Sequence, residues 1–293
     1  MMVLRSNGIG RVYFLGDMPA VIDSHVHVWT DDRTRYPRAA GERDYEPARF
    51  TPEDLFRQTK PVGVTKVVLI QMSFYGTDNS YMLDCMRAHP GTFSGIGIVD
   101  STGSSPDRDM RNLAAQGVRG FRILPGASPS HWLDSAGMKA MWATGAKERL
   151  AMCTLVGPDA LPSIGRMCEK YPETPVVIDH LARIGADGKI RDADLRLLSG
   201  LAKHREVKVK VSAFYALGRK QDPYRDLVPM IRRVFEDYGP RRLMWGSDCP
   251  FQVMEGHRYE PSIRLIRDGL PFLSADDREW LLGQTAESVF FPI

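Results

Sequence analysis

The amino-acid sequence predicts an α/β fold, a (β/α)8 TIM barrel. Eight short apolar runs, rich in β-branched residues, are each followed by a segment of helical character. Several runs are almost continuously apolar instead of alternating, which is typical of parallel strands covered on both faces. Eight repeats of this kind fit a closed barrel. An open doubly wound sheet is the alternative, but Gly8-Ile9-Gly10 precedes the first strand, whereas a dinucleotide-binding glycine loop would follow it.

Each predicted strand is one of the short apolar runs. The strands fall at 20–28 (AVIDSHVHV), 66–72 (KVVLIQM), 93–100 (FSGIGIVD), 118–124 (VRGFRIL), 150–156 (LAMCTLV), 175–181 (PVVIDHL), 207–213 (VKVKVSA) and 242–248 (RLMWGSD).

The predicted helices are supported by capping residues at their starts and glycines at their ends. Thr51 is a good N-cap for the first helix, with Asp54 three residues later. The second begins at Asn79 or Ser80, the third ends at Gly117, and the fourth is rich in Ala and Met. We predict helices at 52–60, 79–89, 107–116, 135–149, 158–171, 192–204, 223–238 and 275–290.

The composition indicates a globular chain. Of 293 residues, 43% are apolar and 26% are charged, which is enough apolar material to offset chain entropy. Because α/β barrels of this length fold as one unit, we predict an N-terminal extension at 1–18 and a single barrel domain at 19–293. The longest irregular stretch, 30–50, follows the first strand at the mouth of the barrel, where active sites gather.

Charge and sequence patterning exclude several classes of partner. Lys and Arg number 39 and Asp and Glu 36, and the net charge of +3 is too small and too evenly spread for a nucleic-acid partner. With no run of about 18 apolar residues, no membrane span is expected. Gly8, Gly10 and Arg11 break the apolar N-terminus, so no signal peptide is expected. The four cysteines form no C-x-x-C pair, which fits a reducing cytoplasm. The oligomeric state stays open, a homo-oligomer included.

Polar residues stand at three strand ends where apolar packing does not need them. His25 and His27 lie near the end of the first strand, and their spacing points both imidazoles to one side. His180 ends the sixth strand and Asp248 the eighth. In a barrel these four groups would share one site. They suit a divalent cation such as zinc, and they equally suit metal-free acid–base chemistry.

Three segments carry a family resemblance: VIDSHVHVW, VVIDHLARIG and RLMWGSDCPF. They resemble the amidohydrolase superfamily, and more narrowly its lactonase branch of pyrone-dicarboxylate, sulfomuconolactone and sugar lactonases. The segments QMSFYGTDNSYMLD, GIGIVD and GVRGFRI look most like the pyrone-dicarboxylate lactonases. The resemblance runs from about residue 20 to the C-terminus. It implies a barrel and a carboxylic-ester hydrolase that opens a lactone.

The resemblance also implies roles for individual residues. Asp248 would be the general base that activates water, with His180 and Tyr45 as further catalytic groups. One divalent ion, Zn or Mn, would bind to His25, His27, His180 and Asp248, while metal-independent catalysis stays an alternative. Strand four offers Arg122, and strand five offers Cys153, Thr154 and Leu155, where relatives with two metals carry metal ligands. A binuclear site is therefore not expected.

The predicted substrate is a small anionic molecule. Arg122 and Arg183 fall where the resembled lactonases direct arginines to substrate carboxylates, and an arginine fork suits a planar carboxylate. Ser73 and Thr77 fall where they use hydroxyls, and Tyr75 lies in the same loop after the second strand. Two alternative functions stay open within the superfamily. One is a metal-dependent decarboxylase and the other is a lactone isomerase.

Overall fold

The computed structural model describes residues 20–39, 41, 44–125 and 131–292. These residues form an eight-stranded parallel sheet whose strand order follows the sequence order from first to last. The strands are β1 (Ile22–Val26), β2 (Lys66–Ile70), β3 (Phe93–Gly97), β4 (Val118–Ile123), β5 (Ala151–Thr154), β6 (Val176–Ile178), β7 (Val207–Ser212) and β8 (Leu243–Gly246). The predicted fold is confirmed, and every predicted strand contains an observed one.

The sheet closes into a barrel at a seam between β1 and the residues after β8. Val26 pairs with Cys249 in a parallel bridge. The Asp248 N–H donates to the carbonyl oxygen of His25 at 2.8 Å, and the His27 N–H donates to that of Cys249 at 2.8 Å. The backbone of the predicted site residues therefore makes the closing hydrogen bonds.

Helices cover the outside of the barrel. They are α1 (Pro52–Thr59), α2 (Ser80–Ala88), α3 (Pro106–Ala114), α4 (Ala136–Glu148), α5 (Leu161–Lys170), α6 (Asp192–Gly200), α7 (Val228–Tyr238), α8 (Tyr259–Asp268), α9 (Ala275–Glu279) and α10 (Thr285–Phe290). A π-helical turn at Trp280–Gln284 joins the last two. In none of the described helices is there an apolar stretch long enough to cross a membrane.

The helix that follows β8 is the element that the sequence analysis missed. α8 has Arg258 at its N-cap without a side-chain capping bond, and Pro261 lies in its first turn. Because no capping residue marks the start of α8, the sequence of this segment resembles that of a loop. The predicted helix 275–290 is a further element, made of α9, the π turn and α10.

The barrel interior is filled by apolar side chains, most of them small or β-branched. They are Ile22, Val68, Ile70, Ile96, Ala151, Cys153, Val177 and Met244. Ala286 and Phe290 of α10 pack against them. This apolar plug supports the polar residues at the carboxyl ends of the strands, which is where barrel enzymes carry their sites. The predicted extension 1–18 lies outside the described residues, and the domain boundary at 19 stays a prediction.

Candidate active site

β1 and the residue that follows it present both predicted histidines to the barrel interior. His25 is fully buried and His27 is 3% exposed. The pairing of β1 with β2 shifts register between Asp23 and Val26, and such an irregularity re-aims the side chains that follow. Ile22 packs in the apolar plug, and His25 and His27 face the interior above it. A regular strand would have turned His25 away from the side that Ile22 occupies.

A left-handed turn after β6 places His180 and Arg183 at the barrel mouth. The φ angles of His180, Leu181, Ala182 and Arg183 are 53°, 52°, 53° and 56°. Each such residue costs about 1–2 kcal/mol, so the surroundings must hold the turn in place. Leu181 and Ala182 are fully buried and anchor it, while His180 and Arg183 line a cavity.

Asp248 stands at the centre of the site, two residues after β8, with a φ of 66°. Its Oδ2 accepts a hydrogen bond from the Tyr215 hydroxyl at 2.7 Å and lies 3.8 Å from His180 Nε2. Its Oδ1 lies 3.2 Å from His27 Nε2 and 3.6 Å from His25 Nε2. The structure thus brings the four residues predicted at strand ends into one cluster.

The protonation states follow from burial and from these contacts. Burial lowers the pKa of His25, His27 and His180, so the three rings are neutral near pH 7. Burial alone would raise the pKa of Asp248, but His180, His27 and His25 outweigh it and hold that pKa below its usual range. The cluster therefore contains an ionised carboxylate among neutral imidazoles.

The two acceptors that face His27 need one more proton than its neutral ring carries. The two ring nitrogens of His27 face two acceptors, since Nδ1 lies 3.1 Å from the Ile70 carbonyl oxygen and Nε2 lies 3.2 Å from Asp248 Oδ1. A neutral ring carries a single N–H and can satisfy only one of them. The pair of His27 and Asp248 is therefore built to accept a proton.

A buried ion pair lies below this cluster. Lys210 of β7 is fully buried, and its Nζ lies 3.1 Å from Asp179 Oδ1 and 3.0 Å from His25 Nδ1. Burial alone would raise the pKa of Asp179, but Lys210 and His25 outweigh it and hold that pKa well below its ordinary value. The Phe290 ring lies 5.7 Å from the Lys210 ammonium and covers it from beneath. A compensated charge pair thus forms the floor of the site.

Two groups of side chains in the described part of the chain have the right types and spacing for a metal ion. One is His25, His27 and Asp248, the other is His25, Asp179 and His180, and the ligand atoms in each lie within 4.8 Å of one another. Both groups depend on His25, and an ammonium nitrogen already lies 3.0 Å from its Nδ1. Because an ammonium only donates, Nδ1 accepts, and the proton of the neutral ring falls on Nε2. A nitrogen that carries a proton cannot ligate, so this arrangement does not fit a divalent ion bound through His25 Nε2.

A cavity of about 490 Å³ opens above the cluster at the carboxyl ends of the strands. Among the described residues, three cationic side chains, Arg122, Arg183 and Lys220, and one carboxylate, Asp248, line it. The remaining lining residues are His27, Tyr45, Met72, Ser73, Leu155, His180, Ala186, Ala213, Tyr215, Ala216, Leu217 and Phe251. Positive charge in such a cavity favours an anionic ligand.

Two of the predicted substrate-binding residues lie apart from this cavity. Tyr75 is 4% exposed, and its hydroxyl accepts a hydrogen bond from the Thr30 N–H at 3.2 Å. Thr77 is exposed on the loop after β2. Neither is among the described residues that line the cavity, whereas Ser73 from the same loop is.

Sequence reasoning missed Lys210, Tyr215 and Lys220. In the segment VKVKVS the polar residues Lys208, Lys210 and Ser212 alternate with valines, which resembles a strand with one solvated face. In a closed barrel that alternate face is the interior, and this alternation was the available signal. Tyr215 and Lys220 lie in the loop after β7, where no motif marks them.

Comparisons with known proteins agree with this geometry. The amidohydrolase family profile matches residues 22–291. A 2-pyrone-4,6-dicarboxylate hydrolase of Comamonas testosteroni is 28% identical, over 94% of this chain and 92% of the relative. An L-fucono-1,5-lactonase of Burkholderia ambifaria is 28% identical, over 80% of this chain and 82% of the relative. The crystal structure of a probable 2-pyrone-4,6-dicarboxylic acid hydrolase of Acinetobacter baumannii, with citric acid bound, is 25% identical and superposes with a TM-score of 0.79, covering 92% of this chain and 99% of that one.

Proposed function

The chain belongs to the amidohydrolase family, and from this membership we propose that it is a carboxylic-ester hydrolase that opens a small, carboxylated lactone. The observation that carries the proposal is the Asp248 cluster at the base of a cationic cavity. An ionised carboxylate and a ring that lacks a proton supply the base that water attack needs. The lactone-hydrolysing relatives support the same reaction class.

Water attack on the lactone carbonyl begins the proposed reaction. Asp248 accepts the proton of the attacking water, and His27, 3.2 Å away, shares it. The new C–O bond places negative charge on the former carbonyl oxygen. A donor in the cavity wall stabilises this oxyanion, and the Tyr45 hydroxyl is the candidate.

Collapse of the tetrahedral intermediate breaks the ring ester bond. The proton held by Asp248 and His27 returns to the leaving oxygen, so that water and lactone are converted to an open-chain hydroxy acid or its keto tautomer. His180, whose Nδ1 is fixed 2.9 Å from Ser212 Oγ, turns Nε2 towards Asp248 and the cavity. It orients the water beside the base.

Water could be activated with a bound metal ion or by Asp248 alone. Superfamily chemistry with a bound Zn or Mn would use His25, His27, His180 and Asp248, and such an ion would supply Lewis-acid polarisation and a more acidic water. The contact between Lys210 and His25 disfavours that ligand set. We therefore assign water activation to Asp248 without an ion.

A lactone screen with a matched pair of variants tests the function. Acid release is followed with a pH indicator on pyrone, muconolactone and sugar lactones, for the wild type, Asp248→Asn and Asp187→Asn. Loss of the general base is expected to lower kcat about 100- to 10,000-fold. Asp187 is exposed and pairs with Arg191 away from the site, so Asp187→Asn should retain full activity.

The mass of the product separates hydrolysis from its two alternatives. Hydrolysis adds one water, isomerisation leaves the mass unchanged, and decarboxylation releases carbon dioxide. A lactone converted without water uptake, or full activity in Asp248→Asn, would overturn the proposal.

A further inference from the structure

Lys210 is a charged side chain that the proposed reaction does not use. It occupies an interior position of β7, is fully buried, and lies below the reacting groups. Its nearest polar neighbours are Asp179 Oδ1 at 3.1 Å and His25 Nδ1 at 3.0 Å. Burial of a lysine is costly unless it is paired, so a lysine kept at this depth requires a reason beyond packing.

The contact with His25 fixes where the imidazole carries its proton. An ammonium group has three donors and no acceptor, so Nδ1 of the ring must accept from Lys210. The single proton of a neutral imidazole then falls on Nε2. That nitrogen is buried without a hydrogen-bond partner among the described residues and lies 3.6 Å from Asp248 Oδ1.

Asp179 provides the competing partner. Its Oδ1 lies 3.4 Å from His25 Nδ1, and without a lysine it would accept a proton from that nitrogen. The ring would then carry its proton on Nδ1 and expose a lone pair on Nε2, the form in which histidine ligates metals. Lys210 lies closer to the ring and also neutralises Asp179, and both effects favour the opposite tautomer.

We propose that Lys210, held by Asp179, is a positioning residue that locks His25 as an Nε2–H donor facing Asp248 and thereby keeps a metal ion off this nitrogen. The consequence for catalysis rests on the proposed hydrolysis, because the locked donor would face the general base Asp248 there. The tautomer and its effect on metal binding do not depend on that reaction.

The experiment compares the wild type with Lys210→Met and with the control Lys208→Met. Lys208 lies on the same strand, two residues away, and pairs with Glu206 outside the cluster. Protein labelled with 15N-histidine reports the tautomer by NMR, and a His25→Asn sample assigns the His25 signals. Zinc binding is measured in parallel by isothermal titration calorimetry.

In the wild type and in Lys208→Met, His25 is expected to show a protonated Nε2. In Lys210→Met the proton should move to Nδ1, and zinc affinity should rise by about tenfold or more, the scale on which outer partners of metal ligands act. An unchanged tautomer, or zinc affinity within about twofold of the wild type, would overturn the inference.

A second variant covers loss of folding in the single mutant, because Lys210→Met leaves Asp179 buried without its counter-charge. The double variant Lys210→Met with Asp179→Asn removes both charges and retains an acceptor for His25 Nδ1. It should show the same tautomer and the same gain in zinc affinity.

The two proposals fail separately. A wild-type Nε2–H tautomer in an enzyme that hydrolyses no lactone refutes the function alone. An Nδ1–H tautomer in an enzyme that Asp248→Asn inactivates refutes the role of Lys210 alone.

Discussion

Arg122→Met should selectively weaken the use of carboxylated substrates. The guanidinium of Arg122 lines the cavity, and one of its five N–H groups donates to the Gln71 carbonyl oxygen at a long 3.3 Å. Its Nε is buried without a partner among the described residues. Most of its donors are therefore left for a ligand, and a carboxylate is the group that matches their geometry.

The expected magnitude follows from the number of donors. A hydrogen bond to a charged group contributes about 1.5–3 kcal/mol, and a carboxylate can take two from one guanidinium. Because the cavity is open to water, we expect about 2–4 kcal/mol in total. At about 1.4 kcal/mol per tenfold, this corresponds to a fall of about 30- to 700-fold in kcat/KM.

The assay compares two lactones that differ only in the carboxylate. Arg122→Met should lower kcat/KM on the carboxylated ring and leave the neutral analogue within about threefold. Arg119→Met is the matched control, because Arg119 lies on the same strand but donates to the Ala114 carbonyl oxygen away from the cavity. An equal loss on both lactones would refute the reasoning, since Arg122 would then act on the reacting centre or on folding.

Three further predictions concern the base, a buried carboxyl and the seam. Tyr215→Phe removes the hydroxyl that donates to Asp248 and stabilises its ionised form, so the acid limb of the kcat/KM profile should move to higher pH; an unmoved limb contradicts this. Burial raises the pKa of Asp23 to about 6, above its value in the unfolded chain. The unfolded chain therefore releases this proton first, and the stability of the fold should fall as the pH rises from about 4 to 6. Asp23→Asn should flatten that part of the urea-denaturation profile, and an equally steep decline would count against it. Gly246→Ala would place a Cβ 3.0 Å from His25 Cβ and backbone N; thermal denaturation should show a loss of about 1–3 kcal/mol, and an unchanged midpoint would exclude the clash.

The sequence allowed prediction of the barrel and of the four strand-end residues because both leave local marks. A polar residue at the end of an apolar strand is conspicuous, and His25, His27, His180 and Asp248 all had this mark. Tyr75 was predicted only from its place in the loop after β2. The structure buries it, and its hydroxyl accepts a hydrogen bond from the Thr30 N–H.

Two other features were missed because their sequence signals can be interpreted only together with the closed sheet. Lys210 was missed because a lysine between valines is typical of a strand with one solvent-exposed face. In a closed barrel that face points to the interior. The register shift that turns His25 inward is a property of the pairing of β1 with β2. No single strand carries its signal.

Asp248 lies at the seam between β1 and the end of β8, so the activity that depends on this base would report whether the barrel is closed. Two of its backbone hydrogen bonds run from Asp248 to His25 and from His27 to Cys249, so the groups that close the cylinder are also those that would handle the proton. Opening at this joint would separate Asp248 from His27 while the other seven strand pairings stayed intact. Loss of turnover under mild denaturant would then precede loss of circular dichroism, and the denaturant dependence of the turnover loss would give the free energy of local opening.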